Sequence, residues 1–408
     1  MKRTLITNIG MLATPQGTAA RGGRAQGEIC ILKNAWILIE NDLIAQVGNG
    51  AAPAAADAQT INAGGKLVTP GLVDAHTHLI FGGWRQNELA LKLHGAGYLD
   101  ILAAGGGILS TMRATQSASE EQLEAKASAA LDEMLRFGTT TAEAKSGYGL
   151  STGEECKALR VIGNLQKHHV MDLAATFMGA HAVPETYRDN RQGYLELLCE
   201  EMLPAVREQG IAEFCDVFCE KGVFSAEESR RILLTGRQHG LRPKIHADEI
   251  EAIGGSELAG EIGAVSAEHL IVCPPSGIAS MARGGAVACC LPATSFYLGA
   301  AYAPVQDMVQ AGVPVAMATD FNPGSCPCLN MQLVISLGCL RYRLTPEQAL
   351  TAVTLNGAAA ICRADRIGSI EPGKQADILI WNAEDLDYIC YRLGSNLVDT
   401  VIKKGNVV

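Results

Sequence analysis

The sequence predicts an α/β protein: a (β/α)8 barrel of the TIM type with a small composite β-sandwich domain built from both chain ends. Three observations carry that prediction. Eight apolar, strand-like runs alternate with helical patterns through the middle of the chain, helix-start signals fall between them, and both ends are short, hairpin-like β-segments. The 408 residues suffice for more than one domain. The expected divisions are 1–66 and 366–408 for the two parts of the β domain, and 67–365 for the barrel.

The elements follow in order. Residues 29–33 and 35–47 are rich in Ile, Leu and Val, with Glu40-Asn41-Asp42 marking a turn, and 50–59 (GAAPAAADAQ) reads as a low-complexity surface loop. The barrel runs are LVTPGLVDAH (67–76), TTTAEAK (139–145), DLAATFMGAH (172–181), FCDVFC (214–219), PKIHA (243–247), AVSAEHL (264–270), AVACCLP (286–292) and VPVAMATD (313–320). Ser119-x-x-Gln122, Thr152-x-x-Glu155 and Ser225-x-x-Glu228 match the capping box, and Thr345-Pro346-x-Gln348 adds a proline at the first helical position. At the C-terminal end, ADILIW (376–381) reads as a strand and VIKKGNVV (401–408) as a hairpin turning at Gly405-Asn406. Neither end is large enough to fold alone, so the two are expected to pair. An open doubly wound sheet is the competing architecture. It fits less well, because the candidate catalytic residues end many different strands instead of gathering at one switch point.

Composition narrows the function. A net charge of -10, with acids and bases interspersed, argues against nucleic acid or an anionic membrane as partner. The 13 cysteines show no C-x-x-C pair and read as reduced, mostly buried thiols of a cytoplasmic protein. The N-terminal MKRTLITNIGML lacks the continuous apolar core of a signal peptide. The long uncharged stretch from Arg283 to Asp307 holds Pro292 and Pro304, so it reads as strand plus loop, not as a membrane span. Neither a G-x-x-x-x-G-K-[ST] loop nor a well-placed G-x-G-x-x-G suggests a nucleotide cofactor.

The chemistry lies at the ends of the runs. His76 and His78, two apart on a strand, point to one face and can share a metal ion. His246 ends the fifth run and Asp320 the eighth, which neighbours the first in a barrel, so these four form the expected metal site. Three histidines and one carboxylate suit zinc or iron equally. Glu249 lies three residues beyond His246, free to take a proton from the attacking water and hand it to a leaving nitrogen. His269 ends the sixth run and could bind metal, or orient the water and polarise the substrate oxygen; the second role is favoured. Arg85, in the loop after the H-x-H strand, offers a guanidinium fork for a carboxylate. Tyr148, with Tyr98 as a weaker candidate, can hydrogen-bond that group, and His181 can donate to a ring nitrogen or oxygen. His94, His168, His169 and His239 fall in helical patterns and read as structural.

These residues resemble the amidohydrolase superfamily. The general marks are PGLVDAHTH (70–78), ATD (318–320) and GSIEPGKQADILIW (368–381). Narrower marks are HTHLIFGGWRQNE (76–88), KSGYGL (145–150), FMGAHAVP (177–184), HADE (246–249) and TDFNPGSCP (319–327), so the resemblance covers nearly the whole chain. It implies one Zn2+ or Fe3+ per chain, held by His76, His78, His246 and Asp320, and hydrolysis of a ring C–N bond in a small substrate with a carboxylate tail. It also implies that Arg85, Tyr148, His181, Glu249 and Ser325 contact substrate, and that Asn322 and Gly324 contact the product or the loop around it. Glu249, His269 and Asp320 are the candidate catalytic groups. Two-metal members bridge their ions with a carbamylated lysine ending the fourth strand; Lys221 is not excluded by position, whereas Lys145, ending the second run, reads as structural or as support behind the site. Two rivals remain: a deaminase of the same superfamily acting on a nucleobase-like cyclic amidine, and a non-catalytic scaffold. Barrels of this kind often associate, and a homodimer is expected.

Overall fold

The computed structural model describes residues 2–54, 57–94 and 106–408; Tyr98 lies outside them. Eight strands form one parallel sheet in sequence order: Leu72–Asp74, Thr139–Lys145, Asp172–Ala180, Phe214–Cys219, Arg242–Ala247, Ser266–His269, Val287–Cys290 and Val315–Met317. The sheet closes just past its first and eighth strands. Thr77 bridges Phe321 in parallel, the Asp320 N–H donates to the His76 carbonyl (3.1 Å), and the His78 N–H donates to the Phe321 carbonyl (2.9 Å). Asp74, wholly buried, ties the same seam by accepting from the Thr319 N–H (3.0 Å) and hydroxyl (2.6 Å). Helix Leu355–Ala360 packs on an apolar interior layer that includes Val73, Ala75, Phe214, Cys289 and Ala316.

The chain ends join in a second sheet, as expected. Its order is Asn406–Val407, Val398–Lys403, Ile378–Trp381, Leu67–Pro70, Arg3–Thr14, Cys30–Glu40 and Leu43–Asn49, with Gln59–Asn62 also paired to Arg3–Thr14. It is a single branched sheet. Asn8, which interrupts the apolar N-terminal run, adopts φ 52° at a register shift between Ile6 and Ile9, a bulge within a 12-residue strand. At the foot of the barrel, Asp172 opens the third strand and accepts from Lys403 (2.7 Å), Lys404 (2.6 Å) and Gln375 (2.8 Å), so the second sheet is bolted to the first.

Four details depart from the sequence reading. The run 67–76 is two strands in two different sheets. At the crossing, a Cβ on Gly71 would lie 2.3 Å from the Thr140 hydroxyl, so only glycine lets the chain pass. The hairpin turns at Lys404-Gly405 and not at Gly405-Asn406: both have positive φ (50° and 70°), as a two-residue primed turn requires, and Lys403 pairs with Asn406. Capping boxes form at Ser119, Ser225 and Thr345, but Thr152 does not cap. Ser151 occupies the N-cap, and the Glu155 carboxylate instead accepts three backbone N–H groups of the preceding loop. After Val287–Cys290 the chain forms helix Pro292–Leu298 where a loop was expected, its proline at the first position where a missing N–H costs nothing.

All 13 cysteines are free thiols. His168 ends a helix, and His94, His169 and His239 each follow the last residue of one. Among the described residues no helix is long and apolar enough to cross a membrane.

Candidate metal centre

The C-terminal ends of the barrel strands bring together residues that are far apart in sequence. His76 and His78, either side of the bridge residue Thr77, both turn toward the axis, with ring centroids 5.2 Å apart. His246, from the fifth strand, places Nε2 3.2 Å from Nε2 of His78. Asp320 follows the eighth strand in a left-handed conformation (φ 59°) and aims Oδ1 at His76 Nε2 (3.3 Å) and His78 Nε2 (3.6 Å). One donor atom from each of His76, His78 and His246 lies within 4.8 Å of the others, as do those of His76, His269 and Asp320.

This set fits a metal ion. Two facing imidazole nitrogens at 3.2 Å waste a lone pair unless a proton or a cation lies between them, and His76 Nε2 is buried without a hydrogen-bond partner among the described residues. Burial alone would lower the affinity of His76 for a proton, but the Glu268 carboxylate below it holds the ring at about 9. A cation at that face is therefore welcome. His78 shows the opposite balance: burial and the neighbouring His181, His76 and His246 push it well below the ordinary range. Asp320 stays ionised, at about 2, because His76, His269 and Thr294 outweigh its desolvation. Thr294, on the helix after the seventh strand, donates to Asp320 Oδ2 (2.6 Å) and so leaves Oδ1 to face the histidines.

Around this centre stand the remaining candidates. His269, also left-handed (φ 71°), lies with its ring 5.1 Å from that of His246, and its Nε2 is 3.7 Å from Glu249 Oε2. Burial lifts the Glu249 carboxyl above its ordinary range, although its side chain keeps 15% exposure toward the mouth. His181 stacks on His78 (4.8 Å, 19°), and its Nδ1 lies 2.9 Å from the Gly147 carbonyl. A carbonyl only accepts, so Nδ1 carries the proton. Burial and the nearby His246 then hold the ring neutral, at about 3, leaving Nε2 as an acceptor. The donor role expected of His181 is thus reversed.

Tyr148 is buried, 5.1 Å from the His181 ring, in the loop that Glu155 organises. Arg85 donates through Nε to both oxygens of the buried Glu88 (3.1 Å each), and its charge reaches the Tyr148 hydroxyl. Gly324 lies flat against that guanidinium, since a Cβ there would fall 2.4 Å from Nη1. Asn322 spends its amide within its own loop: Oδ1 accepts from the Gly324 and Ser325 N–H groups (2.8 Å each), and Nδ2 donates to the Asp320 carbonyl (2.7 Å) and the Ser325 hydroxyl (2.8 Å). Lys221 is two-thirds exposed and paired to Glu251 at 2.8 Å, so it takes no part in the centre.

Beyond Lys145 as a possible support, sequence reasoning missed the layer beneath. Glu143, Lys145, Asp216, Lys244 and Glu268, from four strands, are all fully buried and joined at 2.7–3.0 Å. The available signal was a charge inside each of four apolar runs. Thr294, Glu88 and Glu155 were missed as well, because each acts on another candidate and not on a ligand directly.

Strands ending in histidines and a carboxylate around one axis define a metal-dependent hydrolase barrel, and the comparisons agree. Residues 67–408 match the model of the amidohydrolase family, and the chain belongs to that family. Two of its relatives are the imidazolonepropionases of Alkaliphilus metalliredigens, 50% identical with 100% of this chain and 98% of the relative covered, and of Alkaliphilus oremlandii, 50% identical with 99% and 97% covered. Among solved structures, an E. coli guanine deaminase superposes with a TM-score of 0.75 over 100% of this chain and 99% of its own, at 16% identity, a likeness of fold.

Proposed function

We propose that the chain hydrolyses the ring C–N bond of 4-imidazolone-5-propanoate to N-formimidoyl-L-glutamate, as an imidazolonepropionase of histidine breakdown. The observation that carries this reading is Arg85, a guanidinium packed on Gly324 in the loop after the eighth strand and held by Glu88, a group suited to the propanoate tail of such a substrate. The half-identical, full-length relatives bearing that name support it over the deaminase alternative, whose neutral base needs no such clamp.

The metal reading assigns His76, His78, His246 and Asp320 as ligands of one Zn2+ or Fe3+. When bound, the ion supplies polarisation of the ring carbonyl and a water acidified from 15.7 to about 7. The protein does the rest. Arg85 and Tyr148 hold the tail, and Ser325 contacts the substrate from the loop after the eighth strand, where Asn322 orders it. His181 accepts from a ring N–H, which fixes the face presented to the attacking water. Glu249 takes the proton of that water and returns it to the ring nitrogen as the C–N bond breaks, a task its raised carboxyl suits. His269 steadies Glu249 and the developing oxyanion. Asp320 remains a ligand, because one of its oxygens is committed to Thr294. Asn322 and Gly324 act through the loop that seats Arg85. A cytoplasmic homodimer completes the reading.

The test is turnover of freshly prepared 4-imidazolone-5-propanoate before and after chelation. Activity that chelation abolishes and added metal restores is the expected result. Protein that carries metal yet leaves this substrate untouched, while turning over cytosine or guanine, would sink the assignment and favour the deaminase.

A further inference from the structure

Small barrels usually fill their interior with layers of branched apolar side chains. Here the layer directly under the metal centre is ionic. Glu143 and Lys145 come from the second strand, Asp216 from the fourth, Lys244 from the fifth and Glu268 from the sixth, and none has measurable exposure. Burying five ionisable groups is costly, and an apolar filling of similar volume is commonly as stable or more so. The layer therefore needs a purpose beyond stability.

Its wiring suggests one. Glu268 is the hub: Oε2 faces His76 Nδ1 (2.5 Å) and Lys145 (2.9 Å), while Oε1 takes Lys244 (2.9 Å) and the Ser266 hydroxyl (2.9 Å). Asp216 Oδ2 lies 3.0 Å from His246 Nδ1 and 2.7 Å from Lys145. Lys244 reaches Glu143 (2.9 Å) and the carbonyls of Ala75 and Ala360 (3.3 Å each), but none of its contacts is a histidine. None of the three Nδ1 atoms makes a well-aligned hydrogen bond among the described residues, but those of His76 and His246 each have a carboxylate at 3.0 Å or less, whereas the one carboxylate paired with His78, Asp320, lies on its Nε2 side. Two of the three histidines are thus backed by a carboxylate, and each carboxylate is pinned from below by lysine.

We propose that Lys145 and Lys244 are positioning residues for the metal centre: they clamp Glu268 and Asp216 against Nδ1 of His76 and His246, so that both rings present Nε2 to the ion. The charges agree with this role. Two lysines stand against four carboxylates, Glu143, Asp216, Glu268 and Asp320, leaving a surplus of two negative charges that one divalent cation balances. The proposal rests on the reading of His76, His78, His246 and Asp320 as ligands.

The test reads metal affinity, not turnover. Zn2+ dissociation constants, from competition with a chromogenic chelator, are compared for the wild type, His78→Ala, Ser266→Ala and the charge-neutral pair Lys244→Met/Glu143→Gln. Wild type binding about one Zn2+, with His78→Ala much weaker, establishes the ligand reading; equal binding by both overturns that reading and the proposal with it. Given that result, the Lys244/Glu143 pair is expected to lose 10–100-fold in Zn2+ affinity, the usual effect of removing support behind a ligand. Ser266→Ala, which keeps every charge and is expected to fold, should lose several-fold. Co2+-substituted protein should show a shifted visible spectrum in both. Zn2+ affinity within threefold of wild type and an unshifted Co2+ spectrum in Ser266→Ala, or in the folded pair, would reduce the layer to a structural cluster and overturn the proposal.

Discussion

Two ion clusters lie toward opposite ends of the barrel, on different strands, and they differ in what surrounds them. At the mouth end, Glu143, Lys145, Asp216, Lys244 and Glu268 are wholly buried, and Glu268 and Asp216 lie against Nδ1 of His76 and His246. At the foot, Asp172 and Asp377 meet Lys403 and Lys404 where the terminal sheet docks, with Asp172 and Lys404 keeping 34% and 42% side-chain exposure. The foot cluster can relax into water and joins two sheets. The mouth cluster cannot, so its geometry is fixed and can be passed on to the site. Substitutions at the mouth should therefore alter chemistry with little change in folding, and substitutions at the foot should do the reverse.

The largest expected effect is at Glu249. Glu249→Gln keeps shape but cannot shuttle a proton, so kcat should fall about 100-fold or more with metal content unchanged. Steady-state kinetics beside metal analysis checks this; an unchanged rate would remove Glu249 from the mechanism. Next comes Arg85→Met. Loss of a charge-assisted clamp on the substrate tail costs about 1.5–3 kcal/mol, so kcat/KM should drop roughly 10–100-fold, mainly through KM. A variant whose KM held steady would move the carboxylate site elsewhere. Glu249→Gln is expected to leave the melting temperature nearly unchanged, whereas Arg85→Met strips the buried Glu88 of its ion pair and should lower it.

Much of this contrast was legible in the sequence, and the gaps have physical causes. The barrel strands were visible as apolar runs, and Thr139–Lys145 and Phe214–Cys219 match theirs residue for residue. His76, His246 and Asp320 stood out because each ends such a run, and His78 because it lies two residues past His76. The ionic layer did not, beyond Lys145 as a possible support, since Asp216, Lys244 and Glu268 each stand as a lone charge in an apolar run, as Glu143 does beside Lys145. Only closure of the barrel turns alternate positions inward, and closure is a long-range property that no local pattern carries. Thr152-x-x-Glu155 misled for a related reason. Its glutamate had a stronger use, satisfying the N–H groups of Gly147, Gly149 and Leu150 and so shaping the Tyr148 loop.

At the foot, Asp172 offers the pH test. Burial would raise its carboxyl, but Lys403, Lys404 and Gln375 bring it down from 3.8 to about 2. The folded value is depressed, so its stabilisation is fully present above 3.8 and is lost as pH falls through about 2. Allowing for its partial exposure, the contribution is about 1 kcal/mol. Asp172→Asn should therefore melt about one degree below wild type at pH 7 and converge with it near pH 2, while kcat and KM at pH 7 stay put. A gap that persisted in acid would assign the stabilisation to packing instead of charge.

The smallest effect sharpens the contrast furthest from the site. Thr345 caps helix Pro346–Val353, its hydroxyl accepting from the Gln348 N–H while the Gln348 side chain returns to the Thr345 N–H. Thr345→Ala leaves that donor to water and should cost about 1 kcal/mol. The helix touches the eighth barrel strand and the N-terminal turn Gly23–Gly27, where Gln26 donates to the Gln348 carbonyl. If the foot half of the molecule only supports the fold, thermal denaturation should register this loss and Zn2+ affinity should not. A fall in Zn2+ affinity alongside it would mean that the barrel transmits strain along its full length, and the division between a chemical mouth and a structural foot would have to be given up.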